Sequence, residues 1–406
     1  MRETLEALAR IHYGKSPNEA ASIDGNVPIV GTGGIYGWAD RSMFERGIVV
    51  ARKGSLGNPH LFETPFWPVD TTYAVVPRDG IDLTWLYYSL LNFDLTKLNE
   101  ATGVPSINRK WLSKISFENP GGTRQERIAE ILSGIDTAIE KTEALIAKYE
   151  RIKAGLMHDL FTRGVLPNGQ LRLPREQAPE LYQETVIGWI PREWGVSTLS
   201  ELLAPLANNI RSGPFGSALL KHELVDEGIP FLGIDNIHTE RFEPEFRRFV
   251  SERKFLQLAK YKVRPRDVVI TIMGTVGRCC VIPDDLDLAL SSKHLWTMTF
   301  DPEKVIPELV CWQLNHSSWA QAWFRRAMQG GIMDAIQSST LKTLQLPVPN
   351  LGEQELIYAR YLKISARIQE DRAQAEKLRK QKSGLMHDLL IGKGPLPVNE
   401  PEVVDG

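Results

Sequence analysis

Gly155-Leu156-Met157-His158-Asp159-Leu160 recurs as Gly384-Leu385-Met386-His387-Asp388-Leu389, 229 residues further on. Six identical residues in a row are not a chance match. Held at that offset without a gap, Pro120 meets Pro349 and Gln125-Glu126 meets Gln354-Glu355; Ile128, Ile135 and Ile139 meet Ile357, Ile364 and Ile368. The chain is therefore a tandem duplication whose repeats each end in a long helix. A two-fold molecule implies a two-fold partner.

The helices follow from the spacing around those anchors. In the first, apolar residues fall seven apart at Ile128, Ile135, Tyr149 and Leu156, with Leu132, Ile139 and Ile146 four beyond them. That is a coiled-coil seam. The second keeps Ile357, Ile364, Leu378 and Leu385. Thr142 interrupts the first seam and Asp371 the second, positions that either fix the register or face solvent. Thr123-Arg124-Gln125-Glu126 fits a capping box at the start, and Gly164 and Gly392 terminate the pair. At ~1.5 Å per residue, the seams predict helices reaching ~50–55 Å. Two units of globule plus helix bury both seams by antiparallel pairing, with one globule at each end.

Outward from the helices lie two globules of like layout. In the first, β-rich runs at Val27–Val30, Ile48–Ala51 and Tyr73–Val76 are broken by glycine clusters, and Trp85–Phe93 reads as a short helix. In the second, Ile229–Gly233 answers Val27–Gly31, and Val268–Thr271 answers Val49–Arg52. Thr71-Thr72 falls opposite Ser291-Ser292, Ile107 opposite Ile336, and Leu112 opposite Leu341. Elsewhere the copies diverge, which predicts one job done on two different targets. The expected divisions are a first globule at 1–121, a helix at 122–162, a connector at 163–186, a second globule at 187–349, a helix at 350–392 and an acidic tail at 393–406.

With 42% hydrophobic and 24% charged residues the composition is that of an ordinary globular protein. The net charge of −2 argues against a generic polyanion binder, yet charge is segregated: residues 241–266 carry nine Lys/Arg against three Glu. Three cysteines, two of them adjacent, make neither a disulfide framework nor a zinc spacing. No apolar run is long enough to span a membrane, and no signal core opens the chain, so a cytoplasmic location is expected.

Catalytic motifs are weak. Gly14-Lys15-Ser16 lacks the first glycine of a phosphate-binding loop, and Pro17 would break the helix that must follow. Gly31-Thr32-Gly33-Gly34-Ile35-Tyr36 misses the dinucleotide pattern at Tyr36. Asn58-Pro59-His60-Leu61 lacks the second proline and the aromatic of an amino-methyltransferase motif. The eight histidines show no ligand spacing. The chain is expected to bind rather than catalyse, with no metal and no cofactor of its own.

Both globules place glycine, small hydroxyl, basic and aromatic residues at strand ends. The candidates in the first are Lys15, Tyr36, Trp38, Arg41, Arg52, Lys53, Ser55, Thr71, Thr72, Asn108 and Arg109. In the second they are Arg211, Ser212, Phe215, Asn236, His238, Thr275, Arg278, Ser291, Ser292, Lys293, Gln329 and Gln337. Arg, Lys, Asn and Gln suit base edges, and Ser, Thr and backbone amides suit phosphates. Trp189, Trp194, Trp312 and Trp319 are expected in the core.

The duplicated helix ends, Gly188-Trp189-Ile190-Pro191-Arg192-Glu193-Trp194, Arg211-Ser212-Gly213-Pro214-Phe215-Gly216-Ser217, the Gly274-Thr275-Val276-Gly277 turn and Leu346-Pro347-Val348-Pro349 together resemble the specificity (S, HsdS-like) subunit of Type I restriction–modification systems. The resemblance covers nearly the whole chain. The first half opens at Thr4-Leu5, matching Thr198-Leu199, and has no counterpart of Gly188–Trp194, a departure that puts the edge of the first domain in question. The resemblance implies an α+β chain with two α/β target recognition domains joined by an antiparallel two-helix coiled-coil spacer in a pseudo-two-fold internal repeat. It implies that the subunit reads a split, asymmetric site on double-stranded DNA and docks two methyltransferase subunits, which accompany restriction subunits. S-adenosylmethionine, ATP and magnesium would belong to those partners. The competing expectations are a coiled-coil adaptor without sequence-specific DNA binding, and an enzyme with an unrecognised site.

Overall fold

The structure is a computed structural model that describes residues 1–392 apart from 19, 274–275 and 329–335. Six helices enter the argument: α1 (Leu83–Asn92), α2 (Arg109–Lys114), α3 (Gly122–Thr162), α4 (Pro307–His316), α5 (Ser338–Leu341) and α6 (Leu351–Leu390). The chain divides into two compact units, one of residues 1–147 with the described residues from 369 on, the other of residues 148–368. Among the described residues no helix is long and apolar enough to cross a membrane.

Unit 1 is built on an antiparallel sheet and a mixed one whose strands are β1 (Ala9–Tyr13), β2 (Val27–Gly31), β3 (Gly34–Ala39), β4 (Gly47–Ala51), β5 (His60–Phe62), β6 (Trp67–Pro68) and β7 (Thr72–Pro77). One sheet has the order β1-β7-β4-β5 and the other β3-β2-β6, the β2–β6 pair being parallel. β4, Gly-Ile-Val-Val-Ala, is buried throughout, as a central strand covered on both faces must be. α1 lays Leu83, Leu86 and Leu90 on the core made by Leu5, Leu8, Ile48 and Val75.

Unit 2 repeats the first sheet. Its strands β8 (Ile210–Ser212), β10 (Val268–Thr271), β11 (Cys279–Val281) and β13 (Leu295–Met298) stand in the order β8-β13-β10-β11, with β9 (Ile229–Leu232) parallel to β12 (Ala289–Ser291) beside them. Single hydrogen bonds repeat as well. Leu5 N donates to Ile115 O and Leu199 N to Leu344 O, both at 2.8 Å. The Tyr73 hydroxyl donates to Ile107 O at 3.0 Å, and the Trp296 indole N–H to Ile336 O at 2.7 Å. Gln125 and Gln354, at the duplication offset, are both fully buried and accept from Asp82 N at 2.7 Å and Ile306 N at 2.9 Å. These glutamines tie the start of α3 and of α6 to the segments opening α1 and α4. The capping box expected at Thr123 does not form, because α3 already begins at Gly122 and Thr123 stands inside the helix rather than at its N-cap.

Within each unit the long helices run antiparallel. In unit 1, Asp136 meets Lys382 at 2.6 Å, Glu143 pairs with Arg379, and Ile128 shares a cluster with Leu389. In unit 2, Arg367 lies over the Tyr149 ring, Lys153 over Tyr361, and Leu160 and Ile357 share a cluster. Residue numbers rise on α3 as they fall on α6. The helices are 41 and 40 residues long, and Gly164 and Gly392 follow them at φ of 67° and 73°.

The seam needs correction. Ile128, Leu132, Ile139 and Ile357 are buried, but Ile135, Ile146, Tyr149, Leu156, Ile364, Leu378 and Leu385 are half-buried. Ala129, Met157, Phe161, Leu389 and Leu390, off the seven-residue spacing, are buried as well. Near its ends each helix meets a globule as well as the other helix, so the apolar face is wider there than a two-helix stripe. Thr142 donates to Ala138 O on its own helix at 2.8 Å, whereas Asp371 is buried.

The boundary expected at residue 187 cuts a hairpin: Tyr182–Thr185 pairs with Gly188–Pro191 across a turn at Gly188, φ 112°. The connector is anchored by Arg172, whose buried guanidinium holds Glu353 on α6 at 2.9 Å and Glu193 at 2.5 Å. Trp194 and Trp312 are core residues, but Trp189 is exposed under Arg175.

Candidate nucleic-acid interface

In unit 1 the sheet β1-β7-β4-β5 gathers four chain segments at one end. Gly14 N donates to Thr72 O at 3.1 Å, Arg52 N and Lys53 N donate to Thr71 O at 2.8 and 3.1 Å, and Ile107 N donates to Arg52 O at 2.9 Å. A side chain at Gly14 would collide with Val69 O, so glycine is required for this close approach. These bonds bring together the sequence candidates Lys15, Arg52, Lys53, Thr71, Thr72, Asn108 and Arg109. The hairpin β2–β3 joins them, with His60 meeting Thr32 O at 3.4 Å at its tip.

The side chains differ in exposure. Lys15, Lys53, Ser55, Arg41 and Arg109 are exposed, as are Tyr36 and Trp38 on β3, which stands at the edge of its sheet. Thr72 is not available: it is buried and its hydroxyl donates to Val69 O at 2.7 Å. Asn108 caps α2, accepting from Lys110 N at 2.9 Å.

Beside this cluster lies a cleft of about 880 Å³ lined by Arg10, Arg78, Arg109, Lys110, His12, Tyr13, Asn108 and Glu6. Arg52 and Arg109 hold their guanidiniums 5.2 and 5.7 Å from the Tyr13 ring. Burial, then Arg109 and Arg10, push the His12 imidazole below its ordinary value. Four basic side chains against one acid make a basic concavity of the kind that attracts phosphates. Arg10, His12, Tyr13, Arg78 and Lys110 escaped the sequence reading. The alternation Arg10-Ile11-His12, with Ile11 buried between exposed neighbours, was the signal for the first two.

Unit 2 repeats the backbone of this site. Gly213 N donates to Ser292 O at 3.1 Å, and a side chain there would strike Ser291 O. Several candidates are structural instead. Arg211 is 4% exposed; it pairs with Asp267 and donates to Lys262 O at 2.6 Å, Asn208 O at 3.2 Å and Thr299 Oγ1 at 3.0 Å. Burial pulls its guanidinium down to about 10 and pushes the Asp267 carboxyl up. Ser212 donates to Lys293 O at 3.2 Å, and Ser291 accepts from Thr297 Oγ1 at 2.9 Å. Ser292 is buried, and buried Asn236 organises its loop through Gly233 N, Glu243 O and Glu245 O. Phe215, Lys293 and Gln337 are exposed; His238 and Arg278 are half-buried. Thr275 and Gln329 lie outside the described residues.

The basic run 241–266 is partly neutralised. Arg248 pairs with Asp235, Lys254 with Glu223 at 2.7 Å, and Arg266 with Glu308 at 2.7 Å. Among the described residues no group of His, Cys, Asp and Glu assembles a metal site.

Comparison with known proteins gives this geometry a context. Residues 4–151 match the family model of the Type I restriction modification DNA specificity domain. The chain is 25% identical over 319 residues to the type I restriction enzyme MjaVIII specificity subunit of Methanocaldococcus jannaschii, covering 77% of this chain and 70% of that one. It is 26% identical to the putative type I restriction enzyme MjaX specificity subunit of the same organism, over 78% of this chain and 69% of the relative. The crystal structure of a type I restriction–modification system S subunit from M. genitalium superposes with a TM-score of 0.62 at 16% identity, over 96% of each chain. A chain from a study of complex assembly and conformational transition of the type I R-M system gives 0.54 at 14% identity, over 97% of this chain and 98% of that one. At such identities the two structures speak for the fold alone.

Proposed function

We propose that this chain, a relative of type I restriction–modification specificity subunits, is the DNA-reading subunit of such a complex. Each unit reads one half of an asymmetric, two-part duplex site. The paired helices serve as the coiled-coil spacer and, by their internal repeat, dock two methyltransferase subunits, through which restriction subunits join. Methylation and cleavage, with S-adenosylmethionine, ATP and magnesium, fall to those partners, and this chain contributes recognition only.

One observation carries the reading: the two units repeat the same sheet, the same close glycine contact and the same buried glutamine, yet differ in nearly every exposed residue around them. A shared scaffold with unlike surfaces suits two readers of different sequences. In unit 1, the Arg10, Arg78, Arg109 and Lys110 cleft supplies phosphate contacts, which position the domain without specifying bases. Exposed Tyr36 and Trp38 offer stacking or apolar contact, and Lys53 and Phe215 stand at the loops where base edges would come.

The test is a domain exchange. Residues 195–349 are replaced by the corresponding segment of a relative, and the methylated sequence of the complex is mapped. One half of the recognised site should change and the other persist. A change in both halves, or in neither, refutes the modular reading. A complex that assembles normally yet ignores DNA sequence at every salt concentration would make the chain an adaptor instead.

A further inference from the structure

Lys153 and Lys382 stand at the duplication offset, each two residues before the repeated Gly-Leu-Met-His-Asp-Leu. In unit 2, Lys153 Nζ on α3 donates to Glu240 Oε2 at 2.9 Å and lies 4.5 Å from the centroid of the Tyr361 ring on α6. The Tyr361 hydroxyl donates to the same Oε2 at 2.8 Å. Glu240 belongs to the globule, in the turn between strands Ile237–His238 and Arg241–Phe242, and His316 meets its other oxygen at 2.5 Å. In unit 1, Lys382 Nζ on α6 donates to Asp136 Oδ2 at 2.7 Å and lies 5.3 Å from the Tyr88 ring. The Tyr88 hydroxyl donates to that same Oδ2 at 2.7 Å.

The three groups are the same and their sources are exchanged. In unit 2 the globule gives the acid and a long helix the tyrosine; in unit 1 a long helix gives the acid and globular helix α1 the tyrosine. At the duplication offset Asp136 stands opposite Ser365, and Tyr361 opposite Leu132. Only the lysine is shared. The same knot has thus been completed twice from different positions, which inheritance of the whole constellation does not explain. Each knot joins three separate elements: α3, α6 and the globule. The lysines are 23% and 19% exposed and their acids 16% and 28%, so water and salt screen these pairs less than pairs at the surface. The Glu240 backbone is itself held at φ 57°, a conformation a non-glycine residue adopts only when its surroundings fix it.

We propose that Lys153 and Lys382 are positioning residues: each pins its globule onto its own stretch of the helix pair and so sets the register in which that unit reads its half of the DNA site. The proposal rests on the DNA-reading function above. The lysines act through the carboxylate and the ring and need not touch DNA.

The test uses the full chain with its methyltransferase partners and the site found by methylation mapping. Binding is measured on duplexes with the native gap between half-sites and with gaps one base pair longer or shorter. Lys153→Met and Lys382→Met should each lose about tenfold of the wild-type preference for the native gap, equivalent to ~1.4 kcal/mol. Lys153→Arg and Lys382→Arg, which keep the cation, should restore it. A structural role alone would weaken all gaps equally. Should a methionine variant fail to fold, Tyr361→Phe and Tyr88→Phe keep the ring, remove one hydrogen bond, and should shift the preference in the same direction. A wild-type gap preference in every folded variant, or equal loss at every gap, overturns the lysine assignment while leaving the DNA-reading function intact. A wild-type complex with no gap preference overturns that function and this proposal together.

Discussion

Replacing Arg211 by methionine separates two roles that the sequence alone confuses. Arg211 sits among loop residues suited to DNA, yet it is 4% exposed and its partner Asp267 is fully buried. Its donors are engaged by Asp267, Lys262 O, Asn208 O and Thr299 Oγ1. Methionine keeps much of the length and removes the charge, leaving a buried carboxylate without its paired cation. Breaking such a pair from one side costs ~3–5 kcal/mol, a large part of the stability of a domain this size. Asp267 also accepts from Arg264 N at 2.7 Å and Thr299 Oγ1 at 2.5 Å, which places the expected cost near the lower figure, ~3 kcal/mol. Urea unfolding of the full chain should show a destabilised transition assigned to unit 2 by hydrogen exchange. The double variant Arg211→Met, Asp267→Leu, which removes both charges, should recover most of that loss. Any fall in DNA affinity should track the unfolded fraction. The reasoning is refuted if Arg211→Met unfolds within ~1 kcal/mol of wild type while losing DNA affinity, because that outcome makes Arg211 a reading residue.

Arg109→Ala and Arg78→Ala should leave unfolding unchanged, weaken binding to every DNA sequence alike and lower the salt slope of log Kd by about one each; filter binding across a salt series measures this. Leu132→Ala and Ile357→Ala, at fully buried seam positions, should cost ~2–5 kcal/mol, whereas half-buried Ile135→Ala and Ile364→Ala should cost roughly half as much; comparable losses at all four would show a uniform seam. Burial would raise the Glu240 carboxyl, but hydrogen bonds from His316, Lys153 and Tyr361 outweigh it and hold it down to about 2. An acid depressed from 4.5 stabilises the fold above that pH and loses the contribution as pH falls from 4.5 towards 2, by up to ~3 kcal/mol. Urea unfolding between pH 6 and pH 3 should show about 2 kcal/mol of this loss in the wild type and not in Glu240→Gln.

The duplication made the architecture legible. A repeated hexapeptide and a seven-residue spacing were enough to find both long helices, because helical periodicity is local. The Thr71-Thr72 and Ser291-Ser292 match also pointed to a true equivalence, since both lie at the carbonyls that receive Gly14 N and Gly213 N. What the sequence hid was which way side chains face. Ser212, Ser291, Thr72, Asn236 and Arg211 have the composition of a binding loop, and the structure spends them on the loop's own backbone and core. Hydroxyl, amide and guanidinium groups serve a phosphate and a buried carbonyl equally well, so residue type cannot separate the two uses. The missed residues fail for the opposite reason: Arg10 and Arg78 lie 68 positions apart and meet only because β1 pairs with β7.

The repeated elements and the unlike ones divide along a physical line, and the division itself favours recognition over scaffolding. What repeats is inside: Tyr73 and Trp296 reach the same carbonyl with a phenol and an indole, and Gln125 and Gln354 satisfy the same kind of orphan amide. A buried polar group left unpaired costs ~1–3 kcal/mol, so these positions accept substitution only when the hydrogen bond survives, as the Tyr-to-Trp exchange shows. Exposed loop positions carry no such penalty, and divergence there is physically free. A pure adaptor with two identical partners would need its outward surfaces to stay alike in both units. Likeness here is confined to the core and to the long helices, where Gly-Leu-Met-His-Asp-Leu is repeated without change and His158 and His387 are both exposed. On the proposed function, identical partners would find a matching surface only on the helices, which leaves the globules to meet two different things, the two halves of an asymmetric DNA site.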